Sequence, residues 1–458
     1  MKKLTILILI LSMILTGAIA YANAGPTYWE AYPSSEILAV EENSPIIIEK
    51  ENLTFDFTKE NNQNYNDYNI SGLVTAKYTM FNPSENNETV QMAFPVVGAM
   101  YKFHPESIDI EENGETLDFQ VFTGDTFDKG QVDFQSIVKQ ITASKYSPQY
   151  YDLEETGTLY TFDIRKTSNY EINIAIEYSY DDSKSRVMFN GFNGFESNDN
   201  NIRLSTWVYE TMEIFVLGED IDFNITAYTD GEMKNKTEEY SLDIIREEVS
   251  IGDYIDRQVE DFNTIYNYSK YLAENQIFNI FTRELDELIG NNVINLDIRD
   301  ISTLDHYERF FVLIYEVDFL PQDTVETSIS YNTFSTMDRR ETSKPIHSFD
   351  YIFNPAESWA DFSNLDIMIK PHEDYPYILS SSEEFTRNED GTYSATFETL
   401  PEKNLSFSLY EKEEVTKIDE LKGFLNRNSY FNIVLLPIVG LIIGLIIGVV
   451  VYRKSKKT

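Results

Sequence analysis

Residues 74–95 read VTAKYTMFNPSENNETVQMAFP, and this stretch predicts a β-hairpin. From Val74 to Phe81 apolar residues alternate with mostly polar ones, which is the period of a strand with one buried face. The alternation resumes at Val90, after a polar loop that begins with Asn82-Pro83-Ser84, a combination typical of turns. The stretch is therefore interpreted as two strands joined by a proline-bearing turn.

The same pattern returns in the second half of the chain, where 311–319 and 325–331 alternate around a turn at 321–323. Aromatic residues make up 14% of the chain, and the body is rich in Thr, Ile and Val, which favours strands over helices. We therefore predict a mainly β protein with two β-sandwich-like extracellular domains. A helical segment joins them, and one C-terminal transmembrane helix follows.

One long helical pattern lies between the two hairpins. Apolar residues from Ile255 to Ile289 fall mostly at spacings of three and four, Asp253 can cap the start, and a break near Asn275 would make two helices. A weaker amphipathic pattern at 415–425 predicts a short stalk or a helix near the bilayer surface. The predicted organisation is a signal peptide at 1–24, a β-rich domain at 25–250, a helical connector at 251–300, a C-terminal β-sandwich-like domain at 301–410, a juxtamembrane stalk at 411–432, a transmembrane helix at 433–452 and a cytoplasmic tail at 453–458.

The start of the chain has the order of a secretory signal peptide. Lys2 and Lys3 precede an apolar run that is short for a membrane span, and Ala22-Asn23-Ala24 supplies a small-residue cleavage site. We therefore expect the mature chain to begin at Gly25, outside the membrane.

The last part of the chain has the properties of a membrane anchor. Residues 433–452 carry no charge, and they would make about 30 Å of helix, the thickness of a bilayer's hydrocarbon core. Arg453, Lys454, Lys456 and Lys457 follow at once, so the positive-inside rule places the tail in the cytoplasm. The predicted location is the cell membrane, with a single pass and an extracellular N-terminal region.

A competing interpretation is a cell-wall sorting signal, since LPIVG at 436–440 resembles the Leu-Pro-x-Thr-Gly box that sortases cleave. Val439 lacks the threonine hydroxyl, and a pocket built to hydrogen-bond that group should reject the analogue. If the box stayed outside, only 441–452 would remain, which is too short to cross a bilayer. We therefore predict an uncut anchor.

Three glycines, Gly440, Gly444 and Gly448, recur every four residues in this anchor and would line one helix face. Such a face allows a second helix to approach closely, which predicts self-association of the anchor. The alternative is that small residues are simply common in transmembrane helices.

Charge and cysteine content exclude several classes of function. The formal net charge is -41, which repels phosphate backbones and anionic membranes, so no nucleic-acid partner is expected. The chain has no cysteine, which rules out thiol chemistry and thiolate metal sites. The predicted partners are therefore the bilayer and an unidentified protein or glycan.

Four stretches resemble a group of bacterial extracytoplasmic, membrane-anchored, β-rich surface proteins. They are AGPTYW at 24–29, ENLTFDF at 51–57, the hairpin stretch at 74–95 and YIFNPAESWADFSNLDIMIK at 351–370. The group carries no established activity, and none of the four stretches contains a motif with chemistry. The resemblance implies a surface location and a β-rich fold.

No complete catalytic motif is present, and no catalytic residue is assigned. Ser136 and Lys139 match the Ser-x-x-Lys box of penicillin-binding enzymes, but the companion Ser-Asp-Asn and Lys-Thr-Gly motifs are missing. Glycoside hydrolysis needs only two carboxylates at a set separation. The chain has 77 acidic residues and therefore many pairs, so only folded coordinates can nominate one.

Metal and cofactor sites are not predicted either. The histidines stand singly, so a zinc site is not expected; they are His104, His306, His347 and His372. The turns at 181–183 and 197–201 are rich in oxygen atoms that calcium could use, but neither matches a calcium-binding loop. Ordinary solvated turns are therefore the expectation at both places.

Two aromatic stretches are candidates for a recognition surface. Residues 190–196 combine Asn and Gly with Phe192 and Phe195, and flexible backbone with flat apolar rings suits a protein partner or a sugar face. The alternative is a glycine-rich loop whose phenylalanines pack in the core. A second aromatic group, which could stack on a ligand or form the first strand, consists of Tyr28, Trp29 and Tyr32.

These observations leave three hypotheses of function. The leading one is a single-pass surface protein whose acidic ectodomain binds another macromolecule through loops or sheet edges, without catalysis. The second is an extracytoplasmic enzyme that acts on wall glycan through paired carboxylates, and the third is a subunit of a membrane complex. A deep cleft with two close carboxylates would favour the enzyme, whereas a flat or loop-built apolar patch would favour the binder.

Overall fold

The computed structural model describes residues 28–427, apart from gaps, and also Gly444. The gaps are 30, 32–33, 41–42, 59–68, 101–102, 127–144, 168, 199, 209–210, 267–271, 274, 294, 303–307 and 343. The predicted signal peptide at 1–24, Tyr32, the Ser136/Lys139 box, the remainder of the anchor at 433–452 and the tail at 453–458 lie outside the described residues. Within the part that is described, no helix is both long enough and apolar enough to cross a membrane.

The described chain is mainly β, as the sequence predicts. Its strands are β1 (Tyr28–Trp29), β2 (Ser34–Ser35), β3 (Leu38–Ala39), β4 (Ile47–Asp56), β5 (Ser71–Phe81), β6 (Glu88–Ala99), β7 (Asp109–Glu112), β8 (Glu115–Thr116), β9 (Gln120–Thr126), β10 (Thr156–Lys166), β11 (Asn173–Ser179), β12 (Ser185–Asn190), β13 (Gly194–Asn198), β14 (Asn201–Trp207), β15 (Met212–Gly218), β16 (Phe223–Tyr228), β17 (Lys236–Thr237), β18 (Tyr240–Ser250), β19 (Asn295–Asp297), β20 (Glu308–Phe319), β21 (Thr324–Phe334), β22 (Thr336–Asp338), β23 (Ile346–Ile352), β24 (Asp361–Phe362), β25 (Leu365–Lys370), β26 (Tyr377–Ser381), β27 (Thr386–Arg387), β28 (Tyr393–Phe397) and β29 (Leu405–Tyr410). The helices are α1 (Ile251–Tyr266), α2 (Gln276–Gly290), α3 (Ile298–Ser302) and α4 (Lys417–Arg427), with short 3-10 turns at Pro105–Ser107 and Asn354–Ser358.

The two predicted hairpins have the right strands but the wrong partners. Strand β5 does not pair with β6; it pairs along its whole length with β21, from Phe81 opposite Thr324 to Ser71 opposite Phe334. The two predicted turns also bond each other, since Asn82 N donates to Asp323 O at 3.0 Å. Alternation identifies a strand with one buried face, but it contains no information about which strand lies beside it.

The chain divides into two compact units, each discontinuous in sequence. The first unit contains Met1–Gln91, Glu106–Asp118 and Glu316–Thr458, and the second contains Met92–Pro105 and Phe119–Tyr315. This differs from the consecutive domains predicted at 25–250 and 301–410. The reason is that early strands of the first unit, such as β4 and β5, pair with the late strands β25 and β21.

The first unit is a β-sandwich. One sheet has the order β27-β28-β25-β4-β5-β21-β7-β8, with β24 beside β4, and the other has the order β1-β22-β23-β29-β26, with β2 beside β23. Their facing side chains form an aromatic core. The ring centroid of Phe55 on β4 lies 5.2 Å from that of Phe407 on β29 and 5.7 Å from that of Tyr351 on β23. Edge-to-face contacts of this kind stabilise a core beyond the area that they bury.

The second unit contains another β-sandwich, made of sheets β18-β10-β15-β12-β19 and β13-β14-β11-β16-β17. Buried aliphatic and aromatic side chains from both sheets fill the space between them, including Phe162, Ile174 and Ile214. Helices α1 and α2 belong to this unit, although the sequence predicts a connector between domains at 251–300. Tyr254 of α1 stacks on Phe215 of β15, with ring centroids 4.5 Å apart, which holds the helix on the sheet.

Candidate functional site

The candidate site is built around the β13–β14 hairpin of the second unit. Gly191 has a φ of +86°, and a Cβ there would lie 2.4 Å from Thr211 O, so the tight bend after β12 needs glycine. The chain then enters β13, which pairs with β14 from Gly194 opposite Ser205 to Asn198 opposite Asn201. Strand β13 is the last strand on its side of the sheet in the described part of the chain, so its outer edge has no described partner there.

Four polar side chains form a row across this sheet. In the register of the strands, Glu196 of β13 lies beside Arg203 of β14, then Glu177 of β11 and Asn224 of β16. Arg203 Nε lies 3.5 Å from Glu177 Oε1, and Arg203 Nη1 lies 3.8 Å from Glu196 Oε2. Asn224 Nδ2 donates to Glu177 Oε2 at 3.2 Å. The row is therefore a connected set of charges and hydrogen bonds on the outer face of the sheet.

The next row along the same strands contains the predicted oxygen-rich turn. Ser179 Oγ donates to Asn201 Oδ1 at 2.6 Å, and Asn201 Nδ2 donates to Asn198 O at 3.4 Å. These bonds use the turn's own oxygens to close the hairpin. The turn therefore supplies a fixed polar rim, and Asp199 at its tip lies outside the described residues.

Both rows line a cavity of about 830 Å³ in the second unit. Four carboxylates and a single guanidinium line it, so the cavity is acidic: Glu177, Glu196, Asp220, Asp222 and Arg203. Partial burial acts to raise the pKa of Asp220, but bonds from the Tyr160 hydroxyl and the Ile221 N–H, with Arg246 at 2.9 Å, hold it below its usual range. The cavity is suited to a ligand that brings positive charge or several hydroxyl groups.

The two phenylalanines predicted for recognition differ in burial. Phe192 is 2% exposed and belongs to the sandwich core. Phe195 is 50% exposed on the edge strand β13, where its ring stacks on Phe189 at a centroid distance of 5.8 Å. The structure therefore presents one ring of this pair, Phe195, beside the cavity-lining residue Glu196.

The other predicted aromatic group belongs to the first unit. Tyr28 and Trp29 form the edge strand β1 and are 37% and 38% exposed, and the Arg340 guanidinium lies 4.2 Å from the centroid of the Tyr28 ring. They are therefore a short first strand with accessible rings. Of the three glycines predicted to pack in the anchor, only Gly444 is described, as a helical residue.

Groups that resemble catalytic pairs lie in the core of the first unit. Glu36 and Glu51 are close carboxyl groups, and both are 0% exposed. Ser335 Oγ lies 2.8 Å from His347 Nδ1, but these residues are also buried, and Ser335 accepts a bond from Ile70 N at 3.1 Å. Burial, with a smaller effect of His372, lowers the pKa of His347 to about 3. Neither pair opens onto a cleft that a glycan could enter.

Metal ligands do not converge in the described residues. There is no group of three or more His, Cys, Asp or Glu side chains in that part of the chain with the geometry to hold a metal ion. Three of the four carboxylates of the cavity are engaged by Arg203, Arg246 and Asn224 instead: Glu177, Glu196 and Asp220.

Comparisons with known proteins give a distant similarity among solved structures. No family model matches the chain, and no curated protein matches it. Among solved structures, the chain is similar to a presumed nutrient-binding protein of Legionella pneumophila, at 10% sequence identity and a TM-score of 0.34. The match covers 88% of this chain and 75% of that protein. At this TM-score the similarity supports no inference about function.

Proposed function

We propose that this protein is a membrane-anchored surface protein that binds another macromolecule at the β13–β14 hairpin. One observation carries the proposal: β13, which has no described partner on its outer edge, places Glu196 in the lining of an acidic cavity of about 830 Å³ and the half-exposed ring of Phe195 on the opposite face. Edge strands, flat apolar rings and concave polar surfaces are features that binding proteins use. The uncharged segment at 433–452 and the basic residues after it support the anchored location.

The chemistry of the surface favours an extended peptide with basic side chains. A peptide strand added to the outer edge of β13, which has no partner strand among the described residues, would form main-chain hydrogen bonds there. Its alternate side chains would point to opposite faces of the sheet. A lysine or arginine on one face would reach the carboxylate of Glu196, while an apolar residue on the other face would cover Phe195.

The direct test is binding of a labelled peptide in which lysine and valine alternate, measured by fluorescence anisotropy with the full-length protein in detergent micelles. We expect the double variant Phe195→Ala/Glu196→Gln to bind at least about tenfold more weakly, because it removes an aromatic contact and a charge contact worth about 1 kcal/mol each. Binding should also weaken as salt is added, since part of the attraction is between exposed charges.

A matched control separates this site from general attraction to an acidic protein. Asp243 and Ile244 are an exposed carboxylate and an exposed aliphatic side chain on β18, the edge strand of the other sheet in the same unit. Asp243→Asn/Ile244→Ala should leave the affinity unchanged. An equal loss in both double variants would mean non-specific charge attraction, and no binding of the peptide by the wild-type protein would overturn the proposed ligand.

A further inference from the structure

Two glutamates form an acid pair (Glu36 and Glu51) inside the sandwich of the first unit. Glu51 lies on β4 of one sheet, and Glu36 follows β2, which pairs with β23 of the other sheet. Both side chains are 0% exposed. An ionised carboxylate without a compensating positive charge is strongly disfavoured in such a site.

Hydrogen bonding satisfies only part of the acid pair. Tyr78 Oη donates to Glu36 Oε2 at 2.6 Å. No N–H or O–H group of the described residues bonds Glu36 Oε1 or either oxygen of Glu51. A proton held between the two carboxyl groups would supply the missing bond, because a protonated carboxyl is a donor as well as an acceptor.

The surroundings of the acid pair contain tyrosines rather than bases. Tyr78 on β5, Tyr331 on β21 and Tyr351 on β23 are the other titratable groups that act on it. Burial raises the pKa of the Tyr331 and Tyr351 hydroxyls, and the Tyr78 hydroxyl donates to Glu36. A tyrosine hydroxyl is neutral or anionic, so none of the three supplies a positive charge. The charge state of the pair is therefore set by its own protons.

The electrostatics agree with this geometry. Burial raises the pKa of Glu36 to about 7, although the bond from Tyr78 opposes the effect. Burial and then the charge of Glu36 raise the pKa of Glu51 well above its usual range. Since the pKa of Glu36 is higher in the folded state than its ordinary value of 4.5, its contribution to stability is complete below pH 4.5. It is lost as the pH rises through about 7.

Glu36 belongs to a short N-terminal segment (residues 34–39) that is buried along its whole length. Its strand pairings are brief: Ser34 and Ser35 lie opposite Tyr351 and Ile352, and Leu38–Ala39 form β3, which pairs with β6. Beyond the pairing, Glu36 N donates to Ile352 O at 3.0 Å. The indole N–H of Trp359 donates to Ile37 O at 3.4 Å. The amide of Ala39 also donates to Ser358 Oγ at 3.0 Å. The segment is therefore held by short pairings, whereas β4, which carries Glu51, pairs with β5 along its length and with β25 as well.

We propose that the acid pair is a proton-dependent latch that keeps the N-terminal segment seated between the two sheets. With one proton shared, the carboxyl groups bond each other and the segment stays in place. When that proton leaves, two like charges face each other in a site without a base, and the segment moves out because it is the more weakly paired of the two elements. This device belongs to the first unit and does not depend on the proposed binding site.

Amide hydrogen exchange of the full-length protein in micelles tests the latch. Protection factors, corrected for the intrinsic effect of pH, are measured for residues 34–40 from about pH 6 to about pH 9. Above about pH 7 Glu36 is ionised, and the closed pair keeps one shared proton because the pKa of Glu51 is raised further. Opening of the segment releases that proton, so we expect protection to fall about tenfold for each pH unit in this range. The double variant Glu36→Gln/Glu51→Gln keeps the volume and has no acid to ionise, so its protection should not vary with pH. Glu49→Gln, an exposed change on the same strand, should behave as wild type.

A second measurement keeps the proposal testable if the double variant does not fold. Infrared spectroscopy of the wild-type protein should show the carbonyl band of a protonated carboxyl group at about pH 6, where exposed carboxyl groups are ionised. The band should disappear together with the protection of residues 34–40. Absence of the band, pH-independent protection in the wild type, or an unchanged fall in a folded double variant would each overturn the latch.

Discussion

At the residue scale, single buried polar side chains decide how the loops attach to the core. Asp286 of α2 is 3% exposed and accepts hydrogen bonds from the N–H groups of Gln149 and Tyr150, at 2.8 Å and 2.7 Å. The hydroxyl of Tyr146 donates a third bond at 3.0 Å. One carboxylate therefore fastens the chain at 146–150 to the helix, and nothing in the local sequence pattern indicates this contact.

We expect Asp286→Ala to lower the free energy of unfolding by about 2–4 kcal/mol, because it leaves several buried donors without an acceptor. Glu287→Ala is the matched control, since Glu287 is the next residue on the same helix and is exposed. Urea denaturation of both variants checks the prediction. A loss of the same size in both would mean that the effect comes from the helix and not from the three bonds.

The recognition residues show what a residue pattern can and cannot settle. Phe192 and Phe195 lie three positions apart in one Asn/Gly-rich stretch, and the sequence does not separate them. Phe192 falls in the bend before β13 and points into the core, whereas Phe195 lies on the edge of the sheet and is half exposed. The sheet order makes the difference, because an edge position leaves one side of a strand uncovered.

At the scale of elements, local sequence signals mark where helices begin and end. The predicted break near Asn275 is confirmed, since α1 ends at Tyr266, α2 begins at Gln276 and Asn275 adopts the left-handed conformation with a φ of 68°. Helix α4 begins with a capping box, in which Asp419 N donates to Thr416 Oγ1 and Thr416 N donates to Asp419 Oδ2, both at 3.2 Å. Bonds from Thr416 and then Lys412 hold the pKa of Asp419 well below its usual range.

Helix α4 also makes a close contact that the predicted stalk does not anticipate. A Cβ at Gly423 would lie 2.3–2.4 Å from backbone atoms of Glu341 and Thr342. In a free helix Gly423→Ala should stabilise by about 1 kcal/mol through helix propensity. Here the added methyl group would clash with the backbone of residues 341–342. We therefore expect Gly423→Ala to destabilise the first unit by about 1–3 kcal/mol.

Urea denaturation of the full-length protein shows whether Gly423→Ala raises or lowers the free energy of unfolding. Gly98→Ala serves as the control for an added methyl group, because a Cβ at Gly98 meets nothing within 4 Å. A gain in stability for Gly423→Ala would show that α4 does not pack on residues 341–342 in solution.

At the scale of the whole molecule, the dominant property is charge. The formal net charge is -41, so like charges within the folded chain repel one another. This repulsion extends over about 30 Å at 0.01 M salt but over only about 8 Å at 0.15 M salt. Adding sodium chloride should therefore stabilise the protein by on the order of 1 kcal/mol, or raise its melting temperature by roughly 2–4 °C.

Thermal denaturation in sodium, potassium and calcium chloride at equal ionic strength checks the predicted stabilisation by salt. Sodium and potassium chloride should give the same increase if screening is the cause. A larger increase in calcium chloride, beyond what ionic strength explains, would instead indicate a specific calcium site and would contradict the expectation that the turns at 181–183 and 197–201 are ordinary solvated turns.

The sequence by itself determined the mainly β class, the positions of strands β5, β6, β20 and β21, the break in the helical pattern and the acidic composition. Each of these depends on residues that are near one another in the chain or on composition alone. Only the tertiary structure decided that β5 pairs with β21, that Glu36 meets Glu51, and that Glu196, Arg203 and Glu177 form one row. Strand alternation specifies which face is buried but not which strand is the neighbour, so contacts between distant segments follow from packing the whole chain.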